Sequence, residues 1–161
     1  MAVIGAGGVG GELIVLLGRL GVQKFIIFDG DDFCISNLNR QALCFQSTLN
    51  KNKAIVAKDY LLEINPLIKV FAYPTYFSNT VEDYEKIKQA DIIFFAADNE
   101  KNFSDLITIT RKLIVEDEKT VIFSSVTILG VNTVVLTKES VDLFDKITHN
   151  ALSSTSKKSI S

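Results

Sequence analysis

The sequence predicts an α/β fold, an open and mostly parallel sheet with helices on both faces. Three observations predict it. Short runs of Val, Ile and Phe alternate with segments whose apolar residues recur at helical spacing. A glycine-rich stretch, Gly5-Ala6-Gly7-Gly8-Val9-Gly10-Gly11, separates the first apolar run from the first helical segment. Asp29 closes the second apolar run.

Taken in order, Ala2-Val3-Ile4 reads as a very short first strand. Glu12 to Leu20 reads as a helix, with Leu13, Leu16, Leu17 and Leu20 on one side and Gly21 as its stop. Lys24 to Phe28 is a continuous apolar strand of the buried kind. Asp29 to Gln46 is a long polar connection. Asn52 to Ile64 is the next helix, closed by Asn65-Pro66. Leu67 to Tyr73 reads as a strand, Val81 to Gln89 as a short helix and Asp91 to Ala96 as the clearest buried strand. Asn99 would cap a helix carrying Phe103, Leu106, Ile107, Leu113 and Ile114. Val121 to Phe123 and Val131 to Leu136 complete the sheet, with Gly130 between them, and Ser153 to Ser159 reads as a mobile tail. The organisation expected is one domain over residues 1–138, followed by a C-terminal helix or a Ser/Lys-rich tail over 139–161.

Composition narrows the function classes. With 161 residues, 47% apolar and a net charge of only -2, the chain has mass for a core and is not disordered throughout. No apolar stretch approaches the ~18 residues of a membrane span, and no basic leader precedes the first strand, so neither a membrane nor a secretory route is expected. Two Cys cannot build a disulfide framework, so a cytoplasmic home is expected. The balance of 17 basic and 19 acidic residues provides no field for nucleic acid. Cys34 and Cys44, flanked by Phe33, Ile35, Leu43 and Phe45, read as small buried hydrophobes. Glu82, Asp83, Glu85, Lys86 and Lys88 read as the solvated face of a helix. His149, the one histidine, lies in a polar stretch and is given no catalytic or metal role.

The glycine stretch is the first chemical signal. Without Cβ atoms the backbone can turn tightly and approach a phosphate, while the following helix start supplies free N–H groups and a positive dipole end. Gly5, Gly7, Gly8 and Gly10 are thus candidate nucleotide-binding positions, in a Rossmann-like arrangement. Asp29 is placed to accept from ribose hydroxyls. This pattern alone does not choose between NAD, FAD and ATP.

A second signal does. Asp29-Gly30-Asp31 leads into Ser36-Asn37-Leu38-Asn39-Arg40-Gln41, Lys53 opens the next helix, and Ala96-Ala97-Asp98-Asn99 ends a buried strand. A dehydrogenase has no evident need for an Arg and a Lys beside its pyrophosphate. An enzyme that makes or breaks a triphosphate does, because negative charge builds on the phosphates during transfer. An acid at the end of a later strand, Asp98, is well placed for Mg²⁺.

These segments resemble the ThiF/MoeB/HesA adenylyltransferases, bacterial relatives of ubiquitin-activating enzymes, from about Val3 to Leu136. The resemblance implies ATP-dependent adenylation of a carboxylate, usually the C-terminal glycine of a ubiquitin-like protein or peptide, with release of pyrophosphate. It implies that Gly5, Gly7, Gly8, Gly10, Asp29 and Asp31 bind the nucleotide. Asn37, Arg40 and Lys53 would bind and neutralise the phosphates, and Asp98 would organise Mg²⁺, so that Arg40, Lys53 and Asp98 are the catalytic candidates. It also implies a homodimer.

The chain departs from the family pattern in three ways. Only four residues precede Gly5, where the resemblance would put helices and an Arg that reaches into a partner subunit; Arg19 and Arg111 fall on predicted helices and do not replace it. No Cys follows Cys44, so no thioester acceptor is expected. The paired Cys-x-x-Cys motif is missing, so no zinc is expected. The sequence thus reads as a truncated or minimal member. A non-catalytic ATP-binding scaffold, or partner subunit, of the same fold is the alternative, and an NAD-dependent oxidoreductase the third reading.

Overall fold

The structure is a computed structural model and describes residues 1–78, 80–97, 103–127, 130–146 and 148. Six strands form one sheet. They are β1 (Ala2–Ile4), β2 (Lys24–Phe28), β3 (Lys69–Tyr73), β4 (Ile92–Phe95), β5 (Thr120–Thr127) and β6 (Gly130–Leu136). The helices between them are α1 (Gly8–Arg19), α2 (Lys53–Ile64), α3 (Val81–Ile87) and α4 (Phe103–Val115). The sheet order is β3-β2-β1-β4-β5-β6. Every pairing is parallel except β5 with β6. The chain order therefore reverses between β1 and β4, and in open α/β sheets such a reversal leaves a crevice at the carboxyl ends of the strands where ligands bind.

Alternation along the central strands fills two cores at once. Ala2, Ile4, Ile26 and Phe28 face one layer, with Tyr84 and Ile87 of α3 and Ile109, Leu113 and Ile114 of α4. Val3, Phe25 and Ile27 face the other, with Ile14 of α1 and Ala54, Ala57 and Leu61 of α2. Burial on both faces explains why β2 reads as an uninterrupted apolar run rather than an alternating one. Each large apolar side chain so enclosed contributes about 1.5–3 kcal/mol relative to exposure. Residues 141–146 are helical, and Phe144 is buried in the α3/α4 layer.

At the carboxyl ends of β2, β3 and β4, and mid-way along β5, aromatic rings pack in a row. Tyr73 stacks on Phe28 at 4.6 Å, Phe77 meets both Phe28 and Phe95 edge-on, and Phe95 stacks on Phe123 at 5.1 Å.

Three expectations need correction. Helix α1 starts at Gly8, not Glu12: Gly7 is its N-cap, and Gly11 N–H donates to the Gly7 carbonyl at 2.8 Å. The glycine run is itself the first helical turn, where no apolar spacing could announce it. Asp83, expected on a solvated face, is buried. Its carboxylate accepts from the N–H and hydroxyl of Ser78, while Thr80 caps α3 by accepting from Asp83 N–H. Strand β5 runs from Thr120 to Thr127, longer than expected, because its far half pairs with β6.

Candidate functional site

The floor of the site is the turn between β1 and α1. Gly5 N–H donates to the Phe28 carbonyl and Ala96 N–H to the Ile4 carbonyl, both at 2.8 Å, so the turn begins where three strands are tied together. Gly5 has φ +95°, and a Cβ there would stand 2.8 Å from Ala97 N. At Gly10 a Cβ would stand 1.8 Å from the Gly5 carbonyl oxygen. Both positions are closed to a side chain by the protein itself. Gly7 and Gly8 differ. A Cβ at Gly7 would meet only the Gln41 side-chain amide at 3.7 Å, and one at Gly8 only the Arg40 carbonyl, also at 3.7 Å. Among the described residues nothing forbids a methyl group at either place, and above them lies the start of α1, with N–H groups that a helix cannot satisfy internally.

Asp29, which ends β2, is 8% exposed. Its Oδ2 accepts from Ala6 N–H at 2.7 Å and its Oδ1 from Asp31 N–H at 2.9 Å. Burial pushes its carboxyl above the usual range, against those two backbone bonds and the charge of Lys53. The acid that the sequence places at the ribose thus also braces the glycine turn.

Asp31, Asn52 and Lys53 form the next shelf. Asn52 caps α2 by accepting from Ala54 and Ile55 N–H, and its side-chain amide donates to the carbonyls of Asp29 and Asp31. Lys53 is 7% exposed, and its ammonium pairs with Asp31 Oδ2 at 3.0 Å. Asp31 Oδ1 accepts from the Tyr76 hydroxyl. That hydroxyl first, and Lys53 second, hold the Asp31 carboxyl below its ordinary value.

The segment from Cys34 to Cys44 lies across the turn. Asn37 is buried; its Oδ1 accepts from Cys34 N–H at 3.1 Å and its carbonyl from the N–H groups of Arg40 and Gln41. This local knot sets the Arg40 carbonyl beside Gly8 and the Gln41 amide beside Gly7. The Arg40 guanidinium itself is exposed and donates to the Ser36 carbonyl at 2.6 Å and to Asn39 Oδ1. Gln41 Oε1 is buried and has no partner among the described residues.

Of the residues the sequence singled out, Gly5, Gly7, Gly8, Gly10, Asp29, Asp31, Asn37 and Lys53 gather around this crevice, as does the backbone of Arg40. The Arg40 side chain is engaged by the Ser36 carbonyl and Asn39 Oδ1. Asp98, and with it the Mg²⁺ assignment, lies outside the described residues, as do Asn99, His149 and Ser153 to Ser159. Cys44 is buried as expected, but Cys34 is exposed, because the loop that buries Phe33 turns the next side chain outward. The Ser36 hydroxyl, 3.1 Å from its sulfur, keeps the Cys34 thiol below its usual range. Arg19 donates to the Tyr60 hydroxyl and Arg111 pairs with Asp145, so neither serves this crevice. Sequence reasoning missed the joining role of Asn52, the unpaired amide of Gln41 and the contact of Tyr76. Only Asn52 carried a local signal, as a helix-capping residue.

Comparison with known proteins follows the same lines. The family model described as ThiF family matches residues 1–159. The probable molybdopterin-synthase adenylyltransferase of Porphyra purpurea is 38% identical over 96 residues, which is 60% of this chain and 25% of that protein. The tRNA threonylcarbamoyladenosine dehydratase of Haemophilus influenzae is 30% identical over 112 residues, 70% of this chain and 43% of that protein. Among solved structures, E. coli MccB with ATP superposes with a TM-score of 0.65 at 31% identity, covering 77% of this chain and 36% of that one. The chain therefore spans less than half the length of each of these relatives. Among the described residues no helix is long and apolar enough to cross a membrane.

Proposed function

The chain belongs to the ThiF family, and from that premise we propose that it binds ATP in the β1–β4 crevice and adenylates the C-terminal carboxylate of a ubiquitin-like protein or peptide, releasing pyrophosphate. Residues 1–138 carry this work in our reading. The observation that carries it is the placement of the Asn37–Gln41 segment across the turn, with the Arg40 carbonyl and Gln41 amide 3.7 Å from where side chains at Gly8 and Gly7 would begin.

The residues present fit such a ligand. Among the described residues only the Gln41 amide and the Arg40 carbonyl, at ordinary contact distance, approach where side chains at Gly7 and Gly8 would begin, so packing alone does not call for glycine there, whereas a close approach of phosphate to the backbone would. Among the described residues the buried Gln41 Oε1 has no donor, and a ligand hydroxyl or amine hydrogen would satisfy it. The start of α1 presents N–H groups to phosphate oxygens. Asp29 retains lone pairs for a ribose hydroxyl beyond the two backbone bonds it accepts.

The attacking carboxylate is already ionised near neutral pH, so no strong base is required. ATP supplies the electrophilic α-phosphorus and the pyrophosphate leaving group. The chain's own residues orient and neutralise: Lys53 exchanges Asp31 for phosphate oxygens, and Arg40 swings from the Ser36 carbonyl over the turn. Asp98, next after Ala97, is proposed to hold Mg²⁺. The chain supplies no thioester cysteine in this scheme. A cytoplasmic location and a homodimer complete the proposal.

The test is pyrophosphate exchange into ATP by the full chain, with a ubiquitin-like protein or its C-terminal peptide supplied. Exchange that falls by at least about a hundredfold in Arg40→Ala and Lys53→Ala, the loss expected when one charge-stabilising group is removed, supports the reading. Saturable ATP binding without exchange would favour the scaffold reading instead, and NAD binding tighter than ATP would favour the oxidoreductase.

A further inference from the structure

Tyr76 belongs to none of the motifs above, yet both ends of its side chain are held. The ring lies flat against Gly30: a Cβ at Gly30 would stand 2.7 Å from ring atom Cδ2. The hydroxyl donates to Asp31 Oδ1. The residue is nevertheless 68% exposed, so burial of the ring is a weak reason for its fixed pose. What the pose fixes is the Asp31 carboxylate. The backbone of Asp31 is already pinned, its N–H to Asp29 Oδ1 and its carbonyl by Lys53 N–H and the Asn52 amide. Only the side-chain torsions remain free, and half of that side chain faces solvent. One oxygen goes to Tyr76 and the other to the enclosed Lys53 ammonium.

We propose that Tyr76 is a positioning residue for Lys53: by clamping Asp31 it parks the ammonium at the edge of the crevice, paired and in one place, until a triphosphate takes it. The proposal deepens the nucleotide reading above and rests on it. Asp31 serves here as the stand-in anion that keeps an enclosed cation compensated. Tyr76 prevents that anion from rotating into water and leaving Lys53 unpaired. When phosphate oxygens draw Lys53 away, the Tyr76 hydroxyl remains as a donor to Asp31, so the released carboxylate does not repel the incoming charge unopposed.

The experiment is competitive acylation of lysines in the full chain with a water-soluble amine reagent, mapped by mass spectrometry, with Lys58 of α2 as internal reference. In Tyr76→Phe, which keeps the ring on Gly30 and removes the O–H, Lys53 labelling rises about tenfold relative to Lys58, the effect of losing one hydrogen bond to a charged group. Gly30→Ala, which displaces the ring but leaves the hydroxyl, also raises it. Unchanged Lys53 labelling in Tyr76→Phe overturns the proposal. An ATP arm separates the two claims. If ATP protects Lys53 in the wild type while Tyr76→Phe labels normally, the clamp falls and the nucleotide reading stands. If Tyr76→Phe raises labelling but ATP gives no protection, the clamp stands and the nucleotide reading falls. In turnover, Tyr76→Phe lowers kcat per folded molecule, counted by circular dichroism and burst titration of active sites, by about tenfold with little change in the KM for ATP, so that a loss of folded enzyme does not account for it.

Discussion

The backbone N–H of Ala6 donates to Asp29 Oδ2 at 2.7 Å, joining the glycine turn to the end of β2 across 23 residues of chain. An acid usually explained by its ligand is here part of the frame. Asp29→Asn keeps one acceptor but sets an NH₂ group against a backbone N–H. We expect a loss of about 1–3 kcal/mol of stability, read by thermal denaturation, together with weaker ATP binding, read by calorimetry. The pH dependence gives a second check. Because burial raises the folded-state pKa of Asp29, the folded chain holds this proton more readily than the unfolded one, so stability from this group declines as pH rises through the shifted range. Asp29→Asn should remove that slope.

The four candidate glycines, Gly5, Gly7, Gly8 and Gly10, divide into two pairs. Gly5→Ala and Gly10→Ala collide with Ala97 and with the Gly5 carbonyl, and each should cost about 1–3 kcal/mol or more by overpacking. Gly7→Ala and Gly8→Ala meet no hard neighbour among the described residues, so their melting temperatures should stay near wild type while ATP affinity falls. Equal melting losses in all four would remove the distinction between glycines kept for the fold and glycines kept for the ligand.

Asp83 governs acid stability at the start of α3. Burial alone would raise its carboxyl, but the Ser78 N–H and hydroxyl and the Lys86 ammonium together hold it below the usual range. The stability it adds is therefore present above the unfolded value of about 3.9 and is lost as pH falls through the depressed folded value. Asp83→Asn should lower the melting temperature at neutral pH and flatten the curve in acid, where both proteins converge.

The two cysteines should react differently. Cys34 is exposed, and the Ser36 hydroxyl favours its thiolate, whereas Cys44 is buried and its thiol is pushed up by that burial. Alkylation of the folded chain near pH 7.5 should modify Cys34 first. Ser36→Ala should slow that reaction without exposing Cys44, and mass spectrometry of the modified peptides separates the sites.

Much of this molecule is legible in its sequence, for identifiable reasons. The strands β2 and β4 stand out because burial on two faces leaves no polar interruption, as Phe25 to Phe28 show. Asp29, Asn37 and Lys53 stand out by spacing, and the structure buries all three, each held by a partner within the chain. The rest depends on contacts across long separations. Nothing local tells that Tyr76 reaches Asp31, 45 residues earlier, or that Asn52 reaches back to Asp29. Cys34 misleads because apolar neighbours suggest burial, while the turn at Ile35–Asn37 leaves Cys34, Ile35 and Ser36 all exposed between buried Phe33 and Asn37. The buried role of Asp83 is hidden in a run of charges, since only Ser78, just ahead of the helix, distinguishes it from its neighbours.

One amide has a wider reach than its size suggests. Asn52 grips the loop after β2 with its NH₂ group while its oxygen starts α2. Helix and loop therefore share a crosspiece and cannot drift independently. Whatever settles on the loop should damp hydrogen exchange at the Ala54 and Ile55 amides that Asn52 holds, so occupancy at the mouth can be followed from backbone groups of α2 as well as from the Lys53 side chain.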